Sequence, residues 1–153
     1  MLINSRLIAD LDPEAAIVCN AHVLACHRVG IELLVTSTYR NYEAQEALYA
    51  IGRTVQPERR HVTNARAGQS WHNFRVAWDV VPLVGGKAVW DERDPLWKDV
   101  VKLGKECGAE AGADWPAFKD LPHFQSLPKL PVGVLSLAEA RNRFDTHGTI
   151  FTA

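Results

Sequence analysis

His72 and Asp79 stand in QSWHNFRVAWDVVPL, residues 69–83, a stretch otherwise dominated by aromatic and aliphatic side chains. An imidazole offers a nitrogen lone pair and a carboxylate an anionic oxygen, so together they suit either a divalent metal or a buried ion pair. A strand sends successive side chains to opposite faces, and positions 72 and 79 cannot share a face of one regular strand. His72 is therefore expected in a turn around Asn73 and Phe74, with Asp79 inside the strand that follows. In a chain with six histidines such spacing also arises by chance. A histidine salt-bridged to an aspartate within the core is the competing reading.

DWPAFKDLPHFQ, residues 114–125, adds a second constellation, with His123 between Pro122 and Phe124 and Asp120 three positions earlier. Two histidines and a carboxylate are a familiar zinc set that leaves a fourth position open. Zinc hydrolysis also needs a base outside the ligand set, and Asp120 suits it because the stiff Leu121-Pro122 step sets its place relative to His123. Glu106 and Glu110 are weaker rivals for that role. The other histidines have plainer readings. His22 and His27 are expected at the surface or boundary of the first helix, His61 in a solvated loop and His147 in an inert tail. The five tryptophans are expected mostly in the core, with Trp71 at the border of a groove. Asp114 reads as a loop cap.

The elements that position these groups follow from local signals. Asp12-Pro13 starts a helix whose apolar face is expected at Ile17, Ala21, Leu24 and Ala25, with Gly30 at its exit. IELLVTS, residues 31–37, reads as a strand. Asn41 caps a second helix, YEAQEALYAIG, with Ala44, Leu48 and Ile51 on one face. Residues 53–69 are polar, arginine-rich and aperiodic, hence a long loop of the kind that tends to carry function. A strand from Val76 is expected to end at Pro82, turn at Gly85-Gly86 and return through KAVW. Asp94-Pro95 opens an amphipathic helix closed by Gly108, and Ser136 with Glu139 forms a capping box for a last one. Hairpins without regular βαβ alternation indicate an α+β fold with a small, mainly antiparallel sheet flanked by helices.

SWHNFRVAWD resembles the S-x-H-x-x-G-x-A-x-D motif of the M15 zinc peptidases, the D-alanyl-D-alanine carboxypeptidase-like family. GADWPAFKDLPHFQ is similar to the C-terminal motif of its phage endolysin branch, the L-alanyl-D-glutamate endopeptidases. TSTYRNYEAQEALYAIGRT resembles that branch's N-terminal block. The similarity runs from about residue 33 to residue 125. It implies a Hedgehog/DD-peptidase-like fold, zinc ligands at His72, Asp79 and His123, a general base at Asp120, and Arg40 facing the scissile carbonyl. It also places Ser70 in support of the ligands and toward substrate, near Trp71. Arg75 departs from the pattern, standing where the family usually has glycine. Arginine disfavours the positive φ that glycine allows. Two outcomes are open: a different turn, or an arginine that grips a substrate carboxylate.

Composition bounds the rest. With 153 residues, 47% of them hydrophobic, and a net charge of −1, the chain suits a single domain and has no basic field for nucleic acid. No signal peptide or membrane-length apolar run is visible, and the three cysteines contain no C-x-x-C pair. The expectation is a monomer of one peptidase domain, residues 1–153, without a membrane anchor or separate cell-wall-binding module. It would be made in a host cytoplasm and act on the wall after release. The expected function is zinc-dependent cleavage of the peptidoglycan stem peptide between L-alanine and D-glutamate. The alternatives are a D-Ala-D-Ala carboxypeptidase or dipeptidase, and a non-catalytic peptidoglycan-binding module.

Overall fold

The computed structural model describes residues 1–152. In chain order they form helix α1 (Pro13–Arg28), strand β1 (Glu32–Ser37), helix α2 (Tyr42–Ala50), a 3-10 turn (Trp71–Phe74), strand β2 (Ala77–Val84), strand β3 (Lys87–Ala88), helix α3 (Leu96–Glu106), strand β4 (Glu110–Ala111), strand β5 (His123–Gln125) and helix α4 (Leu137–His147). The strands make one sheet in the order β1-β2-β5-β4, with β3 paired to β2 and every ladder antiparallel. This is the α+β architecture expected from the hairpin signals.

β2 is the central strand, and its alternation separates core from site. Trp78 and Val80 are fully buried, and Trp78 stacks with its cross-strand partner Phe124 at a centroid distance of 6.5 Å. Asp79 and its own partner His123 take the opposite face. Under the Trp78–Phe124 face lie α1 and α3. Gly104 of α3 packs so tightly that a Cβ there would come within 2.7 Å of the Phe124 ring.

Helix α1 turns a different face inward from the expected one. Ala15, Cys19, His22 and Cys26 are buried, whereas Ile17 is 67% and Leu24 47% exposed. The helix carries apolar residues all round, so periodicity alone could not choose its buried side. His22 is accordingly a core residue. Its Nε2 donates to the Val100 carbonyl at 2.9 Å, while Nδ1 accepts from Trp78 Nε1 at 3.4 Å. Burial lowers its pKa, which keeps the ring neutral in that role.

β2 also runs past Pro82 to Val84. The N and C=O of one strand residue face the same side, and the Pro82 carbonyl accepts from Val89 N. The missing donor therefore faces the short β3 arm, and pairing with β1 is undisturbed. At α4 only half of the expected capping box forms. Ser136 Oγ accepts from Glu139 N at 3.1 Å, but the Glu139 carboxylate turns to Arg143 Nη2 at 2.6 Å.

The segment 53–69 is a long loop, as expected, and internal contacts hold it in place. Arg53 donates to the carbonyls of Tyr49 at 2.6 Å and Thr63 at 3.1 Å, and its guanidinium lies 3.8 Å over the Tyr49 ring. A loop tied down in this way can serve as a wall.

Candidate metal centre and catalytic cleft

The register of β2 against β5 sets Asp79 beside His123, and the 3-10 turn brings His72 to the same point. Asp79 Oδ1 lies 3.3 Å from His72 Nε2 and 3.3 Å from His123 Nδ1. One donor atom from each of the three residues falls within 4.8 Å of the others. The remaining ring nitrogens are committed elsewhere: His72 Nδ1 donates to the Thr38 carbonyl at 2.7 Å and His123 Nε2 to Gln125 Oε1 at 2.8 Å. A neutral imidazole carries a single N–H, so each histidine turns its lone pair toward the Asp79 carboxylate. Three acceptors facing one another require a cation between them, either a proton or a metal. Two imidazole nitrogens and one carboxylate oxygen form a donor set that fits zinc.

The electrostatics agree. Burial alone would raise the Asp79 carboxyl, but the His72 and His123 imidazoles outweigh it and hold the group far below the usual carboxylate range. Burial likewise opposes protonation of His123, yet the hydrogen bond and charge of Asp79 bring its pKa above the ordinary histidine value. Both shifts favour positive charge at the centre of the cluster.

The cluster opens into a cleft of about 510 Å³ lined by Arg40, Ser70, Trp71, Trp115 and Asp120 together with the three convergent residues. The far wall is the long loop, through Val62, Thr63, Ala65 and Gln69. Asp79 and Asp120 are the acidic residues in this lining. Burial raises the Asp120 carboxyl; the His123 charge opposes this and Asp79 adds to it. Among the described residues, the Asp120 carboxylate has no ion-pair partner. It is a free carboxylate of raised basicity next to the cluster.

Arg40 reaches the cleft from the end of β1. Nη1 donates to Gln45 Oε1 at 3.1 Å and Nη2 to Ser37 Oγ at 3.1 Å, while Nε is buried without a partner. Burial lowers its pKa and the Asp79 charge opposes this. The guanidinium is thus clamped by neutral acceptors, and among the described residues no carboxylate contacts it directly.

Neighbouring residues that sequence reasoning passed over hold these groups. Asn73 is fully buried; its Oδ1 accepts from the N–H groups of Gly68 and Ser70, and its Nδ2 donates to the Arg40 carbonyl at 2.8 Å. Its one sequence signal was an amide inside an apolar turn. Trp115 leans on His123 at a centroid distance of 4.9 Å. Gly112 lets the 120–123 turn approach, since a Cβ there would come within 2.4 Å of the Asp120 carbonyl oxygen. Gly112→Ala is therefore expected to shift Asp120 and His123 together. Activity should fall at least tenfold while cooperative thermal unfolding is retained; full activity would show that the turn yields freely.

Arg75 ends the 3-10 turn that bears His72. It adopts the left-handed conformation expected of glycine, with φ 61° and ψ 29°. Its guanidinium lies 4.2 Å over the Tyr39 ring, and it is not among the residues lining the cleft. The backbone strain costs about 1–2 kcal/mol, and the half-buried cation–π contact offsets at least about 0.5–1 kcal/mol of it. Arg75→Gly should leave KM unchanged and shift the melting temperature only slightly. A clear rise in KM would assign it a substrate-binding role.

The remaining candidates fall outside the cleft. His27 pairs with Glu32, and His61 and His147 are exposed. Glu106 approaches Lys102 at 3.9 Å, Asp114 pairs with Lys105 at 2.7 Å, and Glu110 accepts from Gln125 Nε2 at 3.0 Å. Neither rival base reaches the centre.

Comparison with known proteins places this architecture. The M15 peptidase family described as D-alanyl-D-alanine carboxypeptidase matches residues 63–126, the stretch containing all three convergent residues and Asp120. The peptidoglycan L-alanyl-D-glutamate endopeptidase CwlK of Bacillus subtilis (strain 168) is 35% identical over 128 residues, which cover 78% of this chain and 75% of that protein. The chain belongs to the M15 peptidase family. Two solved structures share its fold. The L-Ala D-Glu endopeptidase ChiX of Serratia marcescens superimposes with a TM-score of 0.55 at 22% identity, covering 78% of this chain and 82% of that one. The LD-carboxypeptidase LdcB gives 0.60 at 19%, covering 92% of this chain and 66% of that one.

Proposed function

We propose that this protein is a zinc-dependent peptidoglycan peptidase that hydrolyses the L-alanyl-D-glutamate bond of the stem peptide. The observation that carries the proposal is the meeting of His72, Asp79 and His123 in one cleft with a free carboxylate and a clamped guanidinium. Its relationship to the B. subtilis endopeptidase supports the choice of bond.

His72 Nε2, Asp79 Oδ1 and His123 Nδ1 would hold the metal. Bound there, zinc supplies Lewis acidity that polarises a carbonyl and acidifies a water. Asp120 accepts the proton of the attacking water and passes it to the leaving amine. Arg40 faces the carbonyl oxygen and stabilises the negative charge that develops on it. Trp71, Trp115 and the 53–69 wall confine the peptide and exclude bulk water, while Ser70 lines the entrance.

We further propose a phage-type lytic setting, with synthesis in the cytoplasm and action on the wall after release. Cys19, Cys26 and Cys107 are all free thiols, which suits folding in a reducing compartment.

Digestion of purified peptidoglycan followed by mass analysis of the new termini tests the substrate. New N-terminal D-glutamate is the expected product; release of terminal D-alanine would replace the proposal with carboxypeptidase activity. EDTA should abolish hydrolysis and added zinc should restore it. Full turnover by metal-free protein would overturn the zinc role.

A further inference from the structure

The two histidines of the cluster are oriented by different kinds of partner. His72 Nδ1 faces the backbone carbonyl of Thr38, whose polarity is fixed by the chain. His123 Nε2 faces the side-chain amide of Gln125, whose donor and acceptor ends have nearly the same shape and exchange by a half-turn. With Oε1 toward the ring, Nε2 carries the proton and the Nδ1 lone pair is available to Asp79 and a metal. With the amide reversed, Nε2 would accept, the proton would move to Nδ1, and the ligand position would be blocked.

The fold contains a group that settles the choice. The β4–β5 register pairs Glu110 with Gln125, and strand alternation puts Gln125 on the same face as His123. Gln125 is 3% exposed, and its Nε2 donates to Glu110 Oε2 at 3.0 Å. An ionised carboxylate only accepts, so the amino end of the amide must face Glu110 and the oxygen must face His123.

We propose that Gln125, with Glu110 behind it, is a positioning residue that holds His123 in the single tautomer able to ligate through Nδ1. The polarity of a carboxylate at the sheet edge passes through one amide to the ligand atom. This rests on the zinc-peptidase reading of the cleft. It also explains a two-residue edge strand whose register places an acid opposite Gln125.

The test uses the full chain and two readouts: zinc affinity by competition with a chromophoric chelator, and the imidazole nitrogen NMR spectrum of metal-free protein at alkaline pH. Gln125→Leu should weaken zinc by about 10–100-fold and give His123 a mixture of tautomers. Gln125→Glu shares one proton with Glu110 across their contact and still turns an acceptor oxygen to the ring, so affinity within a few-fold of the parent and a single Nε2–H tautomer are expected. Glu110→Gln removes the bias without removing the amide and should fall between the two. Parental affinity in Gln125→Leu would overturn the proposal. So would equal losses in Gln125→Leu and Gln125→Glu, because packing alone would then explain them. If the parent protein binds no zinc, the metal reading fails, and the tautomer of His123 still decides the positioning role.

Discussion

Asp120→Asn is expected to retain a full complement of zinc and to lose about 10²–10⁴-fold in kcat, the usual weight of a positioned general base. The amide has nearly the same shape and cannot take a proton. His123→Ala should instead lose metal and turnover together, because it removes one of three donors. Metal content and rate measured on the same preparations separate the two cases. The pH profile adds a sign. Asp120 acts as a base only when ionised, and burial raises its pKa. Activity of the parent should therefore fall as pH drops through a midpoint above the ordinary carboxylate value of about 3.9, and the asparagine variant should lack that limb. A near-normal rate in Asp120→Asn would move the base elsewhere, although among the described residues Asp79 is the sole other acid lining the cleft.

Arg40→Ala should lower kcat by about 10²–10³-fold, or about 2.7–4 kcal/mol, the effect of removing one oxyanion donor. The argument lies in how the guanidinium is held. Gln45 and Ser37 each take one N–H and neither neutralises the charge. The cation is aligned before substrate arrives, so its attraction grows as the carbonyl oxygen becomes negative, and kcat reports the loss. Arg40→Lys keeps the charge without the planar fork that fits the clamp, and should recover only part of the rate. Steady-state kinetics on a defined muropeptide are the measurement. A loss confined to KM would make Arg40 a ground-state binding residue.

Much of the architecture was legible because it depends on short-range chemistry. Asp12 and Asn41 supply N-cap side chains, with Oδ1 accepting from Glu14 and Ala44, and ahead of α3, whose N-cap is Pro95, Asp94 Oδ1 accepts from Leu96. Alternation in β2 put Asp79 inside a strand and forced His72 into the preceding turn. Packing decided what local pattern could not. The apolar surface of α1 runs all round, so docking against α3 chose Cys19 and His22 over Ile17 and Leu24 as the buried face. Arg75 looked ill suited to a glycine conformation, yet the surrounding 3-10 turn imposes it and the side chain recovers part of the cost on Tyr39.

By itself, the sequence determined the chemical groups of the site: two imidazoles, two carboxylates and one arginine, at spacings matching a known peptidase family. Tertiary structure alone decided their polarity and support. Hydrogen bonds donated to the Thr38 carbonyl and to Gln125 Oε1 choose which ring nitrogens are left as lone pairs. Gln45 and Ser37 aim Arg40, Asn73 ties its backbone to the turn bearing His72, and Gly112 admits the turn bearing Asp120. These partners lie up to 34 residues from the groups they orient. Hydrogen-bond direction depends on where two segments meet in space, and no periodicity along the chain records that meeting.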